Sequence, residues 1–520
     1  MNVIISKIIY KYKETIMKRF TSVVLALLML FVAFTPLVSA YSDTPSAKYP
    51  NILIEGRSKY NPIISSEGKT LFPVEYDMDV VKAGVADCLP LLGQGLLTNN
   101  FDPWVERFYQ TIAPFFEELI NEEDGEITNG SYAQYQCGND ETIIPYGADY
   151  FFRYDWRISA CDVADQLYNY IQLIKEKTGA EKVNLIGRCY GGNVLAAYLY
   201  EYGCDDIDTA VYLTSLSQGG YMSDNAFAGK FNFNGMDIEN AVEYYELVDD
   251  PALAELLRAT VSFINTFYGL EGSTKLLTKF VNKLYPVIAP QIMTATFAGL
   301  VGYWGMVSEG YEDAKALIFA GQEDKYAGFI EKIDHYHYDI QLHETEIIQS
   351  CIDKGMKFAN IAKYGCVAYP CFETSKEDGD DTIELRKASL GATVALLGET
   401  LNAKYLSTAD MKYISSDKIV DSSTCAFKDY TWFFKGIEHG TFPISIDNFW
   451  RHICAQEDQM TVFDNENYPQ FLKMNPDNET FAPLTDTPVE RTKIEIFFAK
   501  ISRFFTALIN QFKSLLIKEK

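Results

Sequence analysis

The chain has 520 residues and a formal net charge of −26, and 48% of its residues are hydrophobic and 14% aromatic. This apolar content excludes an intrinsically disordered protein, and the length is enough to bury a large core. A polyanion repels nucleic acid and anionic membrane surfaces, so we expect neither as a partner of the globular part.

The first forty residues have the pattern of a secretory signal peptide. A basic start at residues 17–19 precedes an almost wholly apolar run at 20–32 and a small-residue cleavage site, VSA, at 38–40. We therefore expect a secreted protein, extracellular or associated with the cell surface, whose mature chain begins near residue 41.

Strand and helix patterns alternate after the signal peptide. Residues 49–57, YPNILIEGR, read as a buried strand running into a glycine turn, and residues 71–144 are acidic and aromatic. The next predicted elements are a strand at 150–154, a helix at 161–178, a strand at 183–186, a helix at 192–202 and a strand at 210–216. Such alternation predicts an α/β fold with a mostly parallel sheet and helices on both faces.

From residue 221 to about 345 the pattern is helical without strands, which predicts a helical cap inserted into the core. Residues 284–307 contain no charged side chain and are long enough for a membrane span. Pro286, Pro290 and Gln291 favour instead a buried or substrate-facing part of the cap.

The strand pattern returns at 358–368 and 430–434, before a helix near 444–454. The predicted organisation is a signal peptide at 1–40, the two parts of the core at 41–220 and 346–484, the cap at 221–345, and a C-terminal helix at 485–520. Apolar side chains of this last helix repeat with a period near 3.6 between basic ones. Two interpretations stay open: the helix docks on its own domain, or it makes peripheral contact with a membrane.

The joint between the predicted strand at 183–186 and the following helix has the shape of a nucleophile elbow. Its sequence, GRCYG at 187–191, matches Gly-x-Ser-x-Gly with cysteine at the centre. A thiol beside an imidazole is a competent nucleophile, and Arg188 could add positive potential that favours the thiolate form of Cys189. The alternative is that Cys189 is a small core residue of a non-catalytic lipid- or surface-binding protein.

A nucleophile of this type needs a histidine base. Of the five histidines, only His439 directly follows a predicted strand, while His452 lies within a predicted helix. The other three, His335, His337 and His343, fall together in the cap segment, where such a pattern is more typical of a solvated face than of a metal site.

The orienting acid should lie between nucleophile and base in the chain, just after a strand. Asp380 and Asp381 meet this condition in EDGDDTIELR, and Asp417 and Asp421 meet it in SSDKIVDSS. Composition alone does not choose among them.

Five segments occur in the order seen in one known family. They are RYDWRISACD at 153–162, LIGRCYGG at 185–192, SLSQGG at 215–220, GYWGMVSEGYEDA at 302–314 and EDGDDTIELR at 377–386. From about residue 49 to 439 the chain thus resembles the lecithin:cholesterol acyltransferase and lysosomal phospholipase A2 group of α/β-hydrolases. The resemblance implies an α/β-hydrolase fold with a lipid-facing cap that acts on acyl esters of lipids.

Carried over by position, the resemblance implies Cys189 as nucleophile, His439 as base and Asp380 as acid. It implies oxyanion donors at the backbone N–H of Tyr190 and at an N–H near Arg57. The stretch between Asp380 and His439 is longer than in the family, which keeps Asp417 and Asp421 as alternatives.

We therefore expect a secreted lipase- or esterase-like hydrolase, or an acyltransferase, that uses a Cys-His-Asp triad on a lipid or acyl-ester substrate. Neither a metal nor an organic cofactor is expected. The sequence leaves open hydrolysis against transfer, the acyl chain and the oligomeric state.

Overall fold

A computed structural model gives the fold. It is described here for residues 47–57, 61–137, 144–146, 149–233, 251–268, 271–366, 371–488, 501–503 and 505–507. The expected signal peptide and most of the predicted C-terminal helix lie outside the described residues.

One sheet organises the molecule. The described strands are β1 (Asn51–Ile54), β2 (Ile63–Ile64), β3 (Thr70–Phe72), β4 (Tyr132–Ala133), β5 (Ile144–Tyr146), β6 (Asp149–Phe152), β7 (Val183–Arg188), β8 (Ile207–Leu213), β9 (Lys357–Tyr364), β10 (Thr393–Val394), β11 (Val420–Asp421), β12 (Thr431–Lys435), β13 (Phe471–Met474) and β14 (Phe481–Pro483). Nine of them form the main sheet in the order β14-β13-β12-β9-β8-β7-β1-β6-β5. All neighbours from β13 to β6 are parallel, and the two edge strands, β14 and β5, are antiparallel. The predicted mostly parallel sheet is confirmed.

Helices cover both faces of the sheet. The described α-helices are α1 (Met78–Thr98), α2 (Asp102–Ile112), α3 (Ala160–Thr178), α4 (Gly191–Tyr202), α5 (Tyr221–Phe227), α6 (Pro251–Tyr268), α7 (Glu271–Ile288), α8 (Val301–Trp304), α9 (Tyr311–Ile318), α10 (Ala327–Asp334), α11 (Glu344–Asp353), α12 (Leu385–Ala388), α13 (Ala403–Leu406) and α14 (Ile444–Cys454). Because side chains alternate along a strand, Ile52 and Ile54 of β1 join the core that contains α3 and α4, whereas Leu53 joins the core that contains α14.

Most predicted elements lie within a few residues of their observed positions. The main shift is at the strand predicted for 210–216, which runs from Ile207 to Leu213. It ends there because Thr214 adopts a left-handed backbone conformation, with φ 51°.

The described part of the predicted cap is helical, and its apolar stretch 284–307 is not one helix. Helix α7 ends at Ile288, a π-turn follows at Ala289–Met293, and a 3-10 turn at Phe297–Gly299 precedes α8. Pro290 cannot donate the backbone hydrogen bond that would continue α7. This stretch therefore forms no continuous membrane-spanning helix.

Helices α1 and α2 lie in the acidic and aromatic region, where the sequence predicted no helix. By length and composition alone, α1 is apolar enough to cross a membrane. Its apolar side chains occur all round the helix, so they give no clean period, and Leu89, Leu96 and Leu97 remain exposed.

The YDWR block fixes the chain beside the sheet. The fully buried Arg157 donates from Nε to Asp155 Oδ1 at 2.9 Å and from Nη2 to Asp155 Oδ2 at 2.6 Å. It also donates from Nη1 to Ser131 Oγ at 2.8 Å. Trp156 packs edge-on against Phe72 at 4.9 Å between ring centres. These contacts indicate that residues 154–157 have a structural role, which is to hold the chain in place beside the sheet.

The Asp155–Arg157 pair gives a prediction for stability. Replacing Arg157 with alanine leaves a buried carboxylate without its counter-ion, so we expect the free energy of unfolding to fall by about 3–5 kcal/mol. Urea unfolding followed by circular dichroism measures this. The matched control is Arg107→Ala, which removes the more exposed pair with Asp87 and should cost less than about 1 kcal/mol. Equal losses in the two variants would contradict the assignment.

Candidate active site

The turn after β7 holds Cys189 in a strained conformation. Its φ is 55°, in the left-handed region that non-glycine residues seldom adopt. Hydrogen bonds on both sides hold the turn: the N–H of Cys189 donates to the carbonyl of Leu213 at 3.1 Å, and the N–H of Leu216 donates to the carbonyl of Cys189 at 3.1 Å. Since α4 begins at Gly191, the thiol stands between strand and helix, as the elbow pattern predicts.

Two glycines allow the end of β1 to approach this turn. A Cβ atom on Gly191 would lie 2.2 Å from the carbonyl oxygen of Ile54. A Cβ atom on Gly56 would lie 2.7 Å from Cβ and 3.2 Å from Sγ of Cys189. The residues after β1 thus pack directly against the thiol.

His439 and Asp380 are brought together at the same edge of the sheet. His439 lies four residues after β12, and its Nδ1 is 2.8 Å from Oδ2 of Asp380. The backbone N–H of His439 also donates to the carbonyl of Asp380 at 2.7 Å. Asp380 is completely buried, and its Oδ1 accepts hydrogen bonds from the N–H groups of Ile383 at 2.8 Å and Thr382 at 3.2 Å. These donors satisfy the hydrogen-bonding capacity of the buried carboxylate.

The two alternative acids have other partners. Asp417 accepts a hydrogen bond from Lys435 Nζ at 2.7 Å, and Asp421 accepts one from the Tyr405 hydroxyl at 2.8 Å. Of the three aspartates that the family resemblance left open, Asp380 is the one hydrogen-bonded to His439.

Electrostatics link the histidine to the thiol. Burial raises the pKa of Cys189, but the charge of the neighbouring His439 ring, together with the N–H of Tyr190 and the charge of Arg57, brings that pKa below its ordinary value. Burial lowers the pKa of His439, but the charges of Asp380 and Cys189 raise it to about 10. The arrangement therefore favours a thiolate–imidazolium pair.

The far side of the histidine ring is available to the thiol. The Nε2 atom of His439 is buried and has no regular hydrogen-bond partner among the described residues. Catalytic hydrogen bonds are often long before substrate binds, so this geometry suits proton exchange with Cys189 and a bound substrate.

Arg57 adds positive charge beside the thiol, a role that the sequence suggested for Arg188. The Arg188 guanidinium donates to Glu55 at 3.4 Å and lies 4.8 Å from the centre of the Phe442 ring. The Arg57 guanidinium lies 5.1–5.6 Å from three ring centres, those of Phe72, Trp156 and Tyr303. These cation–π contacts hold it within electrostatic range of the sulfur.

The expected oxyanion donors lie beside Cys189. Tyr190 directly follows Cys189, and its backbone N–H lowers the pKa of the thiol. Gly56 packs against the Cys189 thiol. The backbone of the next residue, Arg57, therefore lies close to the sulfur. The participation of the Arg57 N–H remains a prediction.

Lys363 supports the histidine loop, a role that no pattern in the sequence indicates. This lysine of β9 is completely buried, and its Nζ donates to the carbonyls of His439 at 3.0 Å and Thr441 at 2.6 Å. Burial lowers its pKa to about 8. Because Lys363 lies inside a predicted strand, its sequence context indicates only a sheet residue.

Residues in or near the segments quoted for the family resemblance meet around this site. The Nδ2 of Asn193 in α4 donates to the carbonyl of Gly305 at 2.7 Å, which ties the elbow helix to the cap. Lys387 of α12 forms a buried ion pair with Asp224, and Asp224 accepts a hydrogen bond from the N–H of Ser308 at 2.6 Å. The acid-bearing loop and the cap are thus joined.

The cap histidines do not form the solvated face that the sequence predicted. His337 is buried, stacks on Tyr311 with ring centres 3.8 Å apart, and has Nδ1 2.7 Å from Gln341 Oε1. His343 is exposed, and His335 is partly exposed. The prediction fails for His337 because its π-helical segment turns the ring inward.

The thiolate–imidazolium pair predicts a pH profile. Iodoacetamide should alkylate Cys189 with a midpoint below the ordinary cysteine pKa of about 8.5. In His439→Ala the lowering influence of the imidazolium is lost while burial remains, so the midpoint should move upward. Mass spectrometry of the Cys189 peptide at a series of pH values measures both.

Cys366 is the internal control in the same digest. Burial, followed by the charge of Asp381, raises the pKa of its thiol, so its alkylation should require high pH in both proteins. An unchanged Cys189 midpoint in His439→Ala would contradict the pairing.

Comparison with protein-family models and with curated protein sequences finds no match for this chain.

Proposed function

We propose that this protein is an α/β-hydrolase, similar to the lecithin:cholesterol acyltransferase and lysosomal phospholipase A2 group, that cleaves or transfers acyl groups of lipid-like esters through Cys189, His439 and Asp380. The observation that carries the proposal is the contact of His439 with the buried Asp380, together with its effect on the thiol of Cys189. A buried acid, an imidazole and a nucleophile on a strained turn are the parts of an acyl-transfer triad.

In the first half-reaction the Cys189 thiolate attacks the ester carbonyl carbon. The new C–S bond gives a tetrahedral intermediate whose negative oxygen accepts hydrogen bonds from the N–H of Tyr190 and, we propose, of Arg57. As the C–O bond breaks, the imidazolium of His439 gives its Nε2 proton to the leaving alcohol. The products are the alcohol and a thioester on Cys189.

In the second half-reaction the neutral His439 takes a proton from water or an acceptor alcohol. The resulting oxygen nucleophile forms a bond to the acyl carbon, and the C–S bond breaks. An acid or a new ester leaves, and the thiolate and imidazolium are regenerated. Asp380 stabilises the imidazolium and holds the ring so that Nε2 faces the reacting atoms.

Apolar surface supports a lipid-like substrate. Exposed large apolar side chains occur on two helices: Leu89, Leu96 and Leu97 on α1, and Leu276 and Leu277 on α7 in the cap. Exposed large apolar side chains in number are typical of surfaces that meet lipid or another apolar partner. Secretion, and membrane contact through the C-terminal helix, are proposed on the sequence pattern alone.

The first test is turnover of p-nitrophenyl esters of short and long acyl chains under reducing conditions. We expect activity in the native protein, a loss of at least about 10³-fold in Cys189→Ala, and faster turnover of the longer chains. Cys189→Ser should be slow, because a serine hydroxyl is not ionised by a site that stabilises a thiolate. No turnover by the native protein but turnover by Cys189→Ser would mean that the cysteine no longer acts as a nucleophile in an otherwise intact site. No turnover by any of the three proteins would favour the non-catalytic binding protein.

A second test separates the candidate acids. Asp380→Asn should lower kcat by about 10²-fold or more, because the amide stabilises neither the imidazolium nor the reactive tautomer. Asp421→Asn is the matched control, since this carboxylate is also buried but bonds to Tyr405. Equal loss of activity in the two variants, each verified as folded by its melting curve, would contradict the role of Asp380.

A further inference from the structure

A thiol, a carboxylate and an imidazole meet on the surface away from the candidate active site. They belong to Cys161 in the first turn of α3, Glu201 in the last turn of α4 and His335 after α10. Their ligand atoms all lie within 4.8 Å of one another. Three elements that are separate in the sequence thus each contribute one ligand group to the same cluster.

The spacing is close to that of a tetrahedral zinc site. With Zn–N and Zn–O bonds of about 2.0–2.2 Å and Zn–S of about 2.3 Å, ligand atoms around a tetrahedral ion lie roughly 3.3–3.6 Å apart. His335 Nε2 and Glu201 Oε1 are already 3.1 Å apart. Side-chain movements of about 1 Å would bring ligand atoms that are up to 4.8 Å apart to this tetrahedral spacing.

A fourth residue orients the imidazole as metal sites require. His335 Nδ1 lies 2.8 Å from Oδ2 of Asp339, one helical turn further on. A carboxylate that accepts the Nδ1 proton leaves the lone pair of Nε2 for a metal, and this carboxylate–histidine arrangement recurs in zinc proteins. Here the Nε2 atom faces Glu201.

The charges also suit a divalent cation. A thiolate and a carboxylate carry two negative charges, which balance Zn²⁺. The C-terminal end of α4, where Glu201 lies, attracts cations. Burial raises the pKa of the Cys161 thiol to about 12, so a bound metal would displace its proton.

We propose that Cys161, Glu201 and His335 bind one Zn²⁺ ion, with Asp339 orienting the histidine and water completing the coordination. The ion would tie the helical cap, through His335, to the two helices of the core. Glu201 lies at the opposite end of α4 from Cys189, about 18 Å along the helix at 1.5 Å per residue, so the role is structural. The site is independent of the proposed acyl transfer.

Cobalt(II) titration tests the site, because a thiolate bound to Co²⁺ gives a charge-transfer band in the near ultraviolet. We expect one equivalent to bind both to the native protein and to Cys189→Ala, which removes the thiolate–imidazolium pair as a competing site. The band should be lost in Cys161→Ser. In Glu201→Gln and His335→Ala the affinity for Co²⁺ should fall at least tenfold. His343→Ala, an exposed histidine of the same segment, is the matched control and should bind normally.

Melting curves provide a readout that does not depend on cobalt spectra. Zinc should raise the Tm of the native protein, because it binds the folded state alone, and should raise the Tm of Cys161→Ser and Glu201→Gln much less. Glu201 is exposed, so its glutamine variant should fold even if Cys161→Ser does not. No band in the native protein, or a band that persists in both variants, would overturn the proposal.

Discussion

The left-handed turn at Cys189 is the constraint on which the candidate site depends. Because its φ is positive, the thiol projects from the turn, and the surrounding backbone must hold a conformation that a free chain would leave. The residues after β1 hold it on one side and those after β8 on the other, with glycine at the points of closest approach. The strain persists because several hydrogen bonds and close contacts determine it together.

The parallel sheet supplies the other members of the site. Strands β7, β8, β9 and β12 lie side by side and point the same way, so the loops after them meet at one edge. Cys189 follows β7, Asp380 follows β9 and His439 follows β12. Burial of an acid and a histidine there costs free energy, and the hydrogen bonds to Asp380 and from Lys363 to the histidine loop offset part of it.

Local sequence signals predicted the parts of this arrangement that local chemistry determines. Alternating strands and helices, the glycine-flanked cysteine and a histidine directly after a strand can each be read within about twenty residues, and the fold places each where expected. The choice of Asp380 came from a family resemblance, since four aspartates met the same local condition.

The remaining features depend on contacts between distant residues. The effect of Arg57 on the thiol, the support from Lys363 and the meeting of Cys161, Glu201 and His335 each join separate elements, and no periodicity encodes them. Helix α1 was missed for a different reason, because apolar residues all round it conceal the helical period.

Long-range assembly has a consequence for when the thiol becomes reactive. Cys189 and His439 are 250 positions apart, and the histidine reaches the thiol only after β12 has paired with β9. Until then the cysteine has no imidazolium beside it, and the largest of the charges that lower its pKa is missing. A nascent chain would thus carry an ordinary thiol, and its heightened nucleophilicity would arise as the last central strands close the sheet.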